Sequence, residues 1–317
     1  MRVVRLCLVL LLCLPGLSAW AQNASSDVFV SVHVNNIPKL DTTTNSFALD
    51  AYFRFTWSDP AIDPIKGFDV VNPYNGWRSR RTLLYEQPHR LEDGRFFNAI
   101  RYEGMFAAPL LLTDYPFERH SLRVLFEDMP HEGAQVRYLP DVTPVTLGEN
   151  ITIRAYQLGA PVLEIVQARA LGQAMGAPAP AASRAVLTIP LSRNGAVFGV
   201  KVIMPIVVVV ITGLLALLLD RELASAQVAL LATTLLSLIV LQLSTAPKAN
   251  YLTMLDSVFV LGRLLLACGL LRVVYAHYRE RKGLGPPSPQ TDMRLALALM
   301  GALVLGVPAI IAGHLAL

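Results

Sequence analysis

The sequence predicts an exported all-β domain followed by a bundle of four membrane-spanning helices. Three observations carry that reading. The N-terminal half alternates apolar and polar residues at a period of two, four long apolar runs fill the C-terminal part, and a basic-then-apolar leader precedes both. Composition agrees: of 317 residues, 54% are hydrophobic and 16% charged, against roughly a quarter charged in average soluble domains. A net charge of +4, spread along the chain, gives no footing for nucleic-acid binding.

Residues 1–21 read as a signal peptide. Arg2 and Arg5 supply the basic start, residues 6–14 the apolar stretch, and Ala19-Trp20-Ala21 the small-residue cleavage pattern. The stretch falls short of the ~20 residues a span needs, and Pro15-Gly16 ends it. Cleavage after Ala21 exports the β domain. The cysteines are Cys7, Cys13 and Cys268, so no disulfide staples the exported domain.

From residue 22 to 193 the pattern is that of an all-β domain. Residues 29–34, 47–57, 119–126, 150–155 and 185–191 alternate, with turn signals between them such as Ser58-Asp59-Pro60, Asn75-Gly76 and Glu92-Asp93-Gly94. Short strands at this spacing build a sandwich or a barrel. In the second strand Phe53, Phe55 and Trp57 share the core face, and Tyr52, Arg54 and Thr56 share the face toward water or a partner. Residues 170–182, rich in Ala, Gly and Pro, read as a flexible hairpin tip.

The remainder, 194–317, holds four apolar segments at about 197–219, 223–243, 252–275 and 293–314, each long enough to cross a bilayer. The link 276–292 carries Arg279, Arg281 and Lys282. With the β domain outside, that basic link falls in the cytoplasm, as the positive-inside rule expects. The leader and the charge bias give the same topology independently.

Several short motifs then resemble one family. Trp57-Ser58-Asp59 is similar to its Trp-x-Asp at the end of the second strand. Tyr115-Pro116-Phe117-Glu118 is similar to its aromatic-Pro-Phe-Asp loop, with Glu for Asp. Arg193 sits where that family has an arginine before the first span, Pro205 where that span carries a proline, and Pro247 to Tyr251 resembles the loop after the second. The chain thus resembles the pentameric ligand-gated ion channels (the Cys-loop receptor superfamily), nearest the bacterial members that lack the disulfide. The resemblance implies an immunoglobulin-like extracellular sandwich, a homopentamer around a central pore, and residence in the cell inner membrane with the sandwich periplasmic or extracellular. Two features depart from the pattern: Trp77 is not followed by the family's x-Pro, and residues 170–182 lack the aromatics that cap a bound amine in animal receptors.

Stepping by four and three residues along the second span gives Glu222, Ala226, Leu230, Thr233, Ser237, Val240 and Ser244 as one face. The resemblance selects the same face as pore-lining. Glu222 would then form a carboxylate ring concentrating inorganic cations; the alternative is a carboxylate capping the helix start. Thr233 and Ser237 alternatively bond carbonyls one turn back. The low rings, Ala226 and Leu230, are apolar where relatives have small polar groups. Either the constriction lies at Leu230 and Val240, or the helix is rotated so that Gln227 and Thr234 look inward. Arg263 lies about ten residues into the third span, ~15 Å along a helix, where a charge must face protein or a water-filled cavity.

By resemblance, gating is coupled through loops holding Asp41, Tyr115, Pro116, Phe117, Glu118, Arg193, Pro247 and Lys248, with Glu118 and Arg193 the leading pair. The agonist site would lie between adjacent sandwiches. Tyr52 and Arg54 lie on its face, with Tyr138 and Tyr156 as further ligand-binding candidates; the alternative for both tyrosines is a sandwich edge with the hydroxyl in water. The agonist would be a small molecule or protons, since His33, His89, His120 and His131 titrate near neutral pH. They show no metal-ligand spacing, and no cofactor is expected. No catalytic motif is present, so an enzyme is not the expected class. The competing class is a non-conducting tetraspan sensor with a periplasmic small-molecule-binding domain.

Overall fold

Apolar alternation on two sets of strands produces two sheets packed face to face. The structure, a computed structural model, describes residues 25–74, 76, 79–129, 135–149, 151–168, 182–285 and 288–316. The leader, Trp77, His131 and nearly all of the expected 170–182 tip lie outside the described residues. One sheet has the order β4-β6-β2-β1-β8, where β1 is Ser25–Asp41, β2 Ser46–Trp57, β4 Arg80–Leu83, β6 Phe96–Ala107 and β8 Gln135–Leu147; β5, His89–Arg90, pairs with β6. The other runs β10-β11-β7-β3, where β3 is Phe68–Val70, β7 Arg119–Asp128, β10 Val162–Ala168 and β11 Ala182–Arg193; β9, Tyr156–Leu158, pairs with β11. All pairs are antiparallel except β1 with β8.

The period-two reading of β2 holds. Phe53 and Phe55 are fully buried and Trp57 nearly so, while Tyr52 and Arg54 are half-buried on the opposite face. Thr56, expected outside, is buried too. Across the core Phe53 meets Phe126 edge-on at 4.8 Å and Phe68 at 5.1 Å, contacts worth ~0.5–1.5 kcal/mol each beyond area burial.

Three expectations are corrected. Residues 151–155 form no strand: the chain turns there, with Ala155 at φ 73°, between β8 and β9. The helix that contains the third span continues past 275 to Arg281, because a helix needs only its backbone ladder and not a membrane to persist. The basic link therefore shortens to residues 282–288.

The four helices are α1 Gly199–Leu218, α2 Ala224–Thr245, α3 Met254–Arg281 and α4 Pro289–Leu315, each long and apolar enough to cross a membrane. α1 opens with a π turn, Gly199–Ile203, directly before Pro205. Proline lacks the N–H that the regular ladder needs, and the wider turn sits where that bond is lost. Gly213 sets how closely α1 approaches its neighbours: an added Cβ would lie 2.5 Å from both Thr234 Oγ1 and Leu266 Cδ2. α3 starts on a capping box formed by Thr253 and Asp256. At the other end of α3, Arg272 pairs with Asp292 of α4 at 2.5 Å and donates to Thr291.

Candidate functional site: the junction and the second helix

The junction between sandwich and helices is built on a buried ion pair. β11 delivers Arg193 directly below β7, where Glu118 precedes the first strand residue, and Arg193 N–H donates to the Glu118 carbonyl at 3.2 Å. The Arg193 guanidinium donates through Nε to Glu118 Oε1 at 2.5 Å, with side-chain exposures of 11% and 2%. Its NH2 donates to the Tyr156 hydroxyl at 2.9 Å, which in turn donates to Glu118 Oε1 at 2.9 Å. Three rings flank the cation: Tyr156 at 4.6 Å, Phe198 at 4.7 Å and Tyr115 at 5.0 Å. Burial raises the Tyr156 and Tyr115 phenols above their usual range. His120 is buried beside Tyr156, and burial pulls its pKa below the ordinary histidine value, with Glu118 opposing and Arg193 assisting.

The loop that ends in Glu118 also holds the helices. A cis Tyr115-Pro116 bond lies within it. Phe117 packs so closely on Gly195 that an added Cβ would collide with its ring. The Tyr251 hydroxyl accepts from Leu112 N–H at 2.7 Å, the Met254 N–H donates to the Thr113 carbonyl at 2.7 Å, and His314 of α4 lies 3.5 Å from Asp114.

Of the expected coupling residues, Tyr115, Pro116, Phe117, Glu118 and Arg193 are brought together. Asp41 is not joined to them. It pairs with Lys39 at 2.8 Å and accepts from Thr43 and Thr44 N–H, which holds its carboxyl down to about 2. Lys248 is exposed and makes no ion pair among the described residues, and Pro247 is half-buried. Phe198 and His314 were not singled out by the sequence, and Tyr251 only as the end of the Pro247 motif. Their contacts span from 5 to 200 residues of chain, and periodicity reports nothing at such separations.

Two ligand candidates move. Tyr138 is no edge residue. β8 turns Val136 and Tyr138 inward, and Tyr138 is 1% exposed against Phe55 and Phe126, with its hydroxyl unpartnered. A group sealed in the core cannot meet a ligand between subunits. Tyr156 belongs to the junction cluster. Tyr52 and Arg54 stay on the outer face of their sheet, where Arg101 stacks on Tyr52 at 5.9 Å and is held by both Asp50 oxygens at 3.0 and 2.9 Å.

On α2, Gln227, Leu231, Thr234 and Leu238 are buried against the rest of the bundle. Gln227 donates to the Leu219 carbonyl, and Thr234 abuts Gly213. The rotated arrangement, with Gln227 and Thr234 on the open side, is thereby set aside. Glu222, Ala226, Thr233, Ser237, Val240 and Ser244 are exposed and Leu230 is half-buried. Glu222 lies in the first turn of the short 3-10 segment Arg221–Leu223 that leads into α2, where its carboxylate also faces the positive end of the helix dipole. Thr233, Ser237 and Ser244 donate to carbonyls of the preceding turn, leaving each hydroxyl oxygen free to accept. Arg263 on α3 donates Nε to Phe259 O at 3.3 Å.

No family model matches the chain. Gamma-aminobutyric acid receptor subunit alpha-2 of Rattus norvegicus is 20% identical over 295 residues, covering 85% of this chain and 63% of that protein. The Homo sapiens alpha-2 subunit is 21% identical over 296 residues with the same coverage, and the Bos taurus alpha-3 subunit is 23% identical over 268 residues, 76% of this chain and 52% of that protein. This chain is a distant homologue of those receptor subunits. The chain spans 63% or less of the length of these relatives.

Proposed function

We infer that the chain is a subunit of a ligand-gated ion channel, five copies of which surround a pore lined by α2. The observation that carries this is the similarity to receptor subunits over 85% of the chain, in a protein built as a β-sandwich followed by four apolar helices. Supporting it, α2 turns Thr233, Ser237 and Ser244 outward together, and each hydroxyl oxygen can still accept from water although its proton is held by a backbone carbonyl. Five such faces meeting at an axis give those hydroxyls water. The sandwich lies outside the cytoplasm in this reading and the membrane is the cell's inner one. The junction couples them: Arg193, at the foot of β11, is tied to the loop that holds α3 and α4.

Cations are the conducted species, because Glu222 stands exposed at the start of α2, where five copies would form a ring of carboxylates. Arg263 bears the opposing charge but donates Nε to a carbonyl of its own helix. The agonist is a small molecule bearing a carboxylate, which suits the charge of Arg54, half-buried beside Tyr52 on the outer face of its sheet. Gamma-aminobutyric acid, for which the relatives are named, is the first compound to try. The test is current recording from the purified protein in planar bilayers under a salt gradient. Glu222→Gln should move the reversal potential toward zero. An unchanged potential removes Glu222 from selectivity, and an image of the assembly with α2 in a solid bundle would end the channel reading.

A further inference from the structure

A cavity lies at the foot of the sandwich, beside Arg193 and Tyr156. It measures about 470 Å³ and is lined by Lys39, Thr42, Thr152, Arg154, Tyr156 and Arg193. Its charges do not balance. Lys39 is matched by Asp41 and Arg193 by Glu118, but Arg154 is exposed and makes no ion pair or side-chain hydrogen bond among the described residues. One guanidinium is therefore left over, on a wall shared with an ammonium and two hydroxyls. The backbone around it is held in place. Ala155 sits at φ 73°, a conformation that L side chains rarely adopt, and its carbonyl accepts from Asn194 N–H at 3.4 Å while Tyr156 N–H donates to Ile153 O at 3.1 Å. Strain of this kind persists where the surroundings fix it, and it gathers at ligand clamps. The bonded turn points Arg154 and Tyr156 into one cavity.

We propose that this cavity is a phosphate site, taking the phosphate of an anionic lipid headgroup or free inorganic phosphate. A guanidinium fork with an ammonium and hydroxyls beside it matches phosphate oxygens in charge and in hydrogen-bond count. The height also fits: Arg193 is two residues ahead of the helical turn Gly195–Phe198 that leads into α1, which puts the cavity at the level of headgroups if α1 crosses the membrane. Occupancy would bear on the junction, because Arg193 and Tyr156 belong to both. The lipid source rests on the membrane-spanning reading; the free-phosphate source does not.

The test uses the full chain, once in detergent titrated with inorganic phosphate at ionic strength held constant with chloride, and once in phosphatidylcholine nanodiscs with and without phosphatidylglycerol. The readout is the thermal midpoint, which needs no current and so stands apart from the channel reading. Arg154→Gln should weaken the stabilising ligand at least tenfold, and Arg90→Gln, an exposed arginine on β5, should leave it unchanged. Should Arg154→Gln lower the midpoint without ligand, Lys39→Gln gives the same comparison. Stabilisation by both probes assigns free phosphate as sufficient; stabilisation by phosphatidylglycerol alone assigns the lipid. No stabilisation by either, or equal response in wild type and Arg154→Gln, overturns the site.

Discussion

Replacing Arg193 by Gln removes the cation from a pocket built for it. Glu118, 2% exposed, would keep its charge with only Tyr156 to answer it, and its second oxygen, Oε2, already has no partner. Breaking one side of a buried pair costs ~3–5 kcal/mol, mostly through the charge left behind. Glu118→Gln is milder. The amide oxygen still accepts from Arg193 and Tyr156, and the loss is that of a charged hydrogen bond made neutral, ~1.5–3 kcal/mol. The double variant carries neither charge, so its loss should fall short of the sum by at least ~2 kcal/mol, about 30-fold in an equilibrium constant. Unfolding free energies of wild type, both singles and the double, measured on the purified protein in detergent, give the cycle. Additivity within ~0.5 kcal/mol would refute the reasoning, because it would mean that the two groups are solvated separately.

Protonation of His120 should destabilise the protein. Burial lowers its folded pKa, so the unfolded chain binds its proton more readily; the neutral form's stability is full above the unfolded value of ~6.5 and is lost as pH falls from there toward the folded value. Thermal midpoints from pH 8 to 5 should fall less steeply in His120→Phe than in wild type, and parallel slopes would contradict the assignment. Tyr251→Phe removes the acceptor of Leu112 N–H at the junction, at ~1 kcal/mol. In agonist dose–response recordings it should shift the midpoint several-fold, and an unaltered curve would remove this bond from coupling.

Much of this architecture was legible in the sequence because two patterns, the two-residue period of β2 and the long apolar runs of the helices, report burial directly. Phe53, Phe55 and Trp57 point inward as their spacing requires, and the four spans stand where hydropathy puts them. Residues 150–155 misled because alternation records which sides are apolar and not whether a neighbouring strand offers hydrogen bonds. Leu163 and Ile165, in the true strand β10, sit just beyond. The end of α3 was invisible for a related reason: His277, Arg279 and Glu280 are polar but good enough helix formers, so hydropathy stopped where the apolar stretch did while the backbone ladder went on. The Glu118–Arg193 pair was reachable through motif resemblance. Tyr156 as its third member was not, since nothing local marks a tyrosine 38 residues away as a hydrogen-bond partner.

The loop between β6 and β7 hangs from the helices at three points, through Tyr251, through Met254 and through Asp114 against His314. Its attachments therefore reach past α3 to the outermost member of the bundle, whose apolar window is only 17% buried and which touches the surroundings more than any other helix. A tilt of that outer helix cannot leave the loop where it is unless the His314 contact parts. A displacement of α4 is thus passed, through the Asp114 contact, to the loop that also carries Glu118 at the foot of the sandwich.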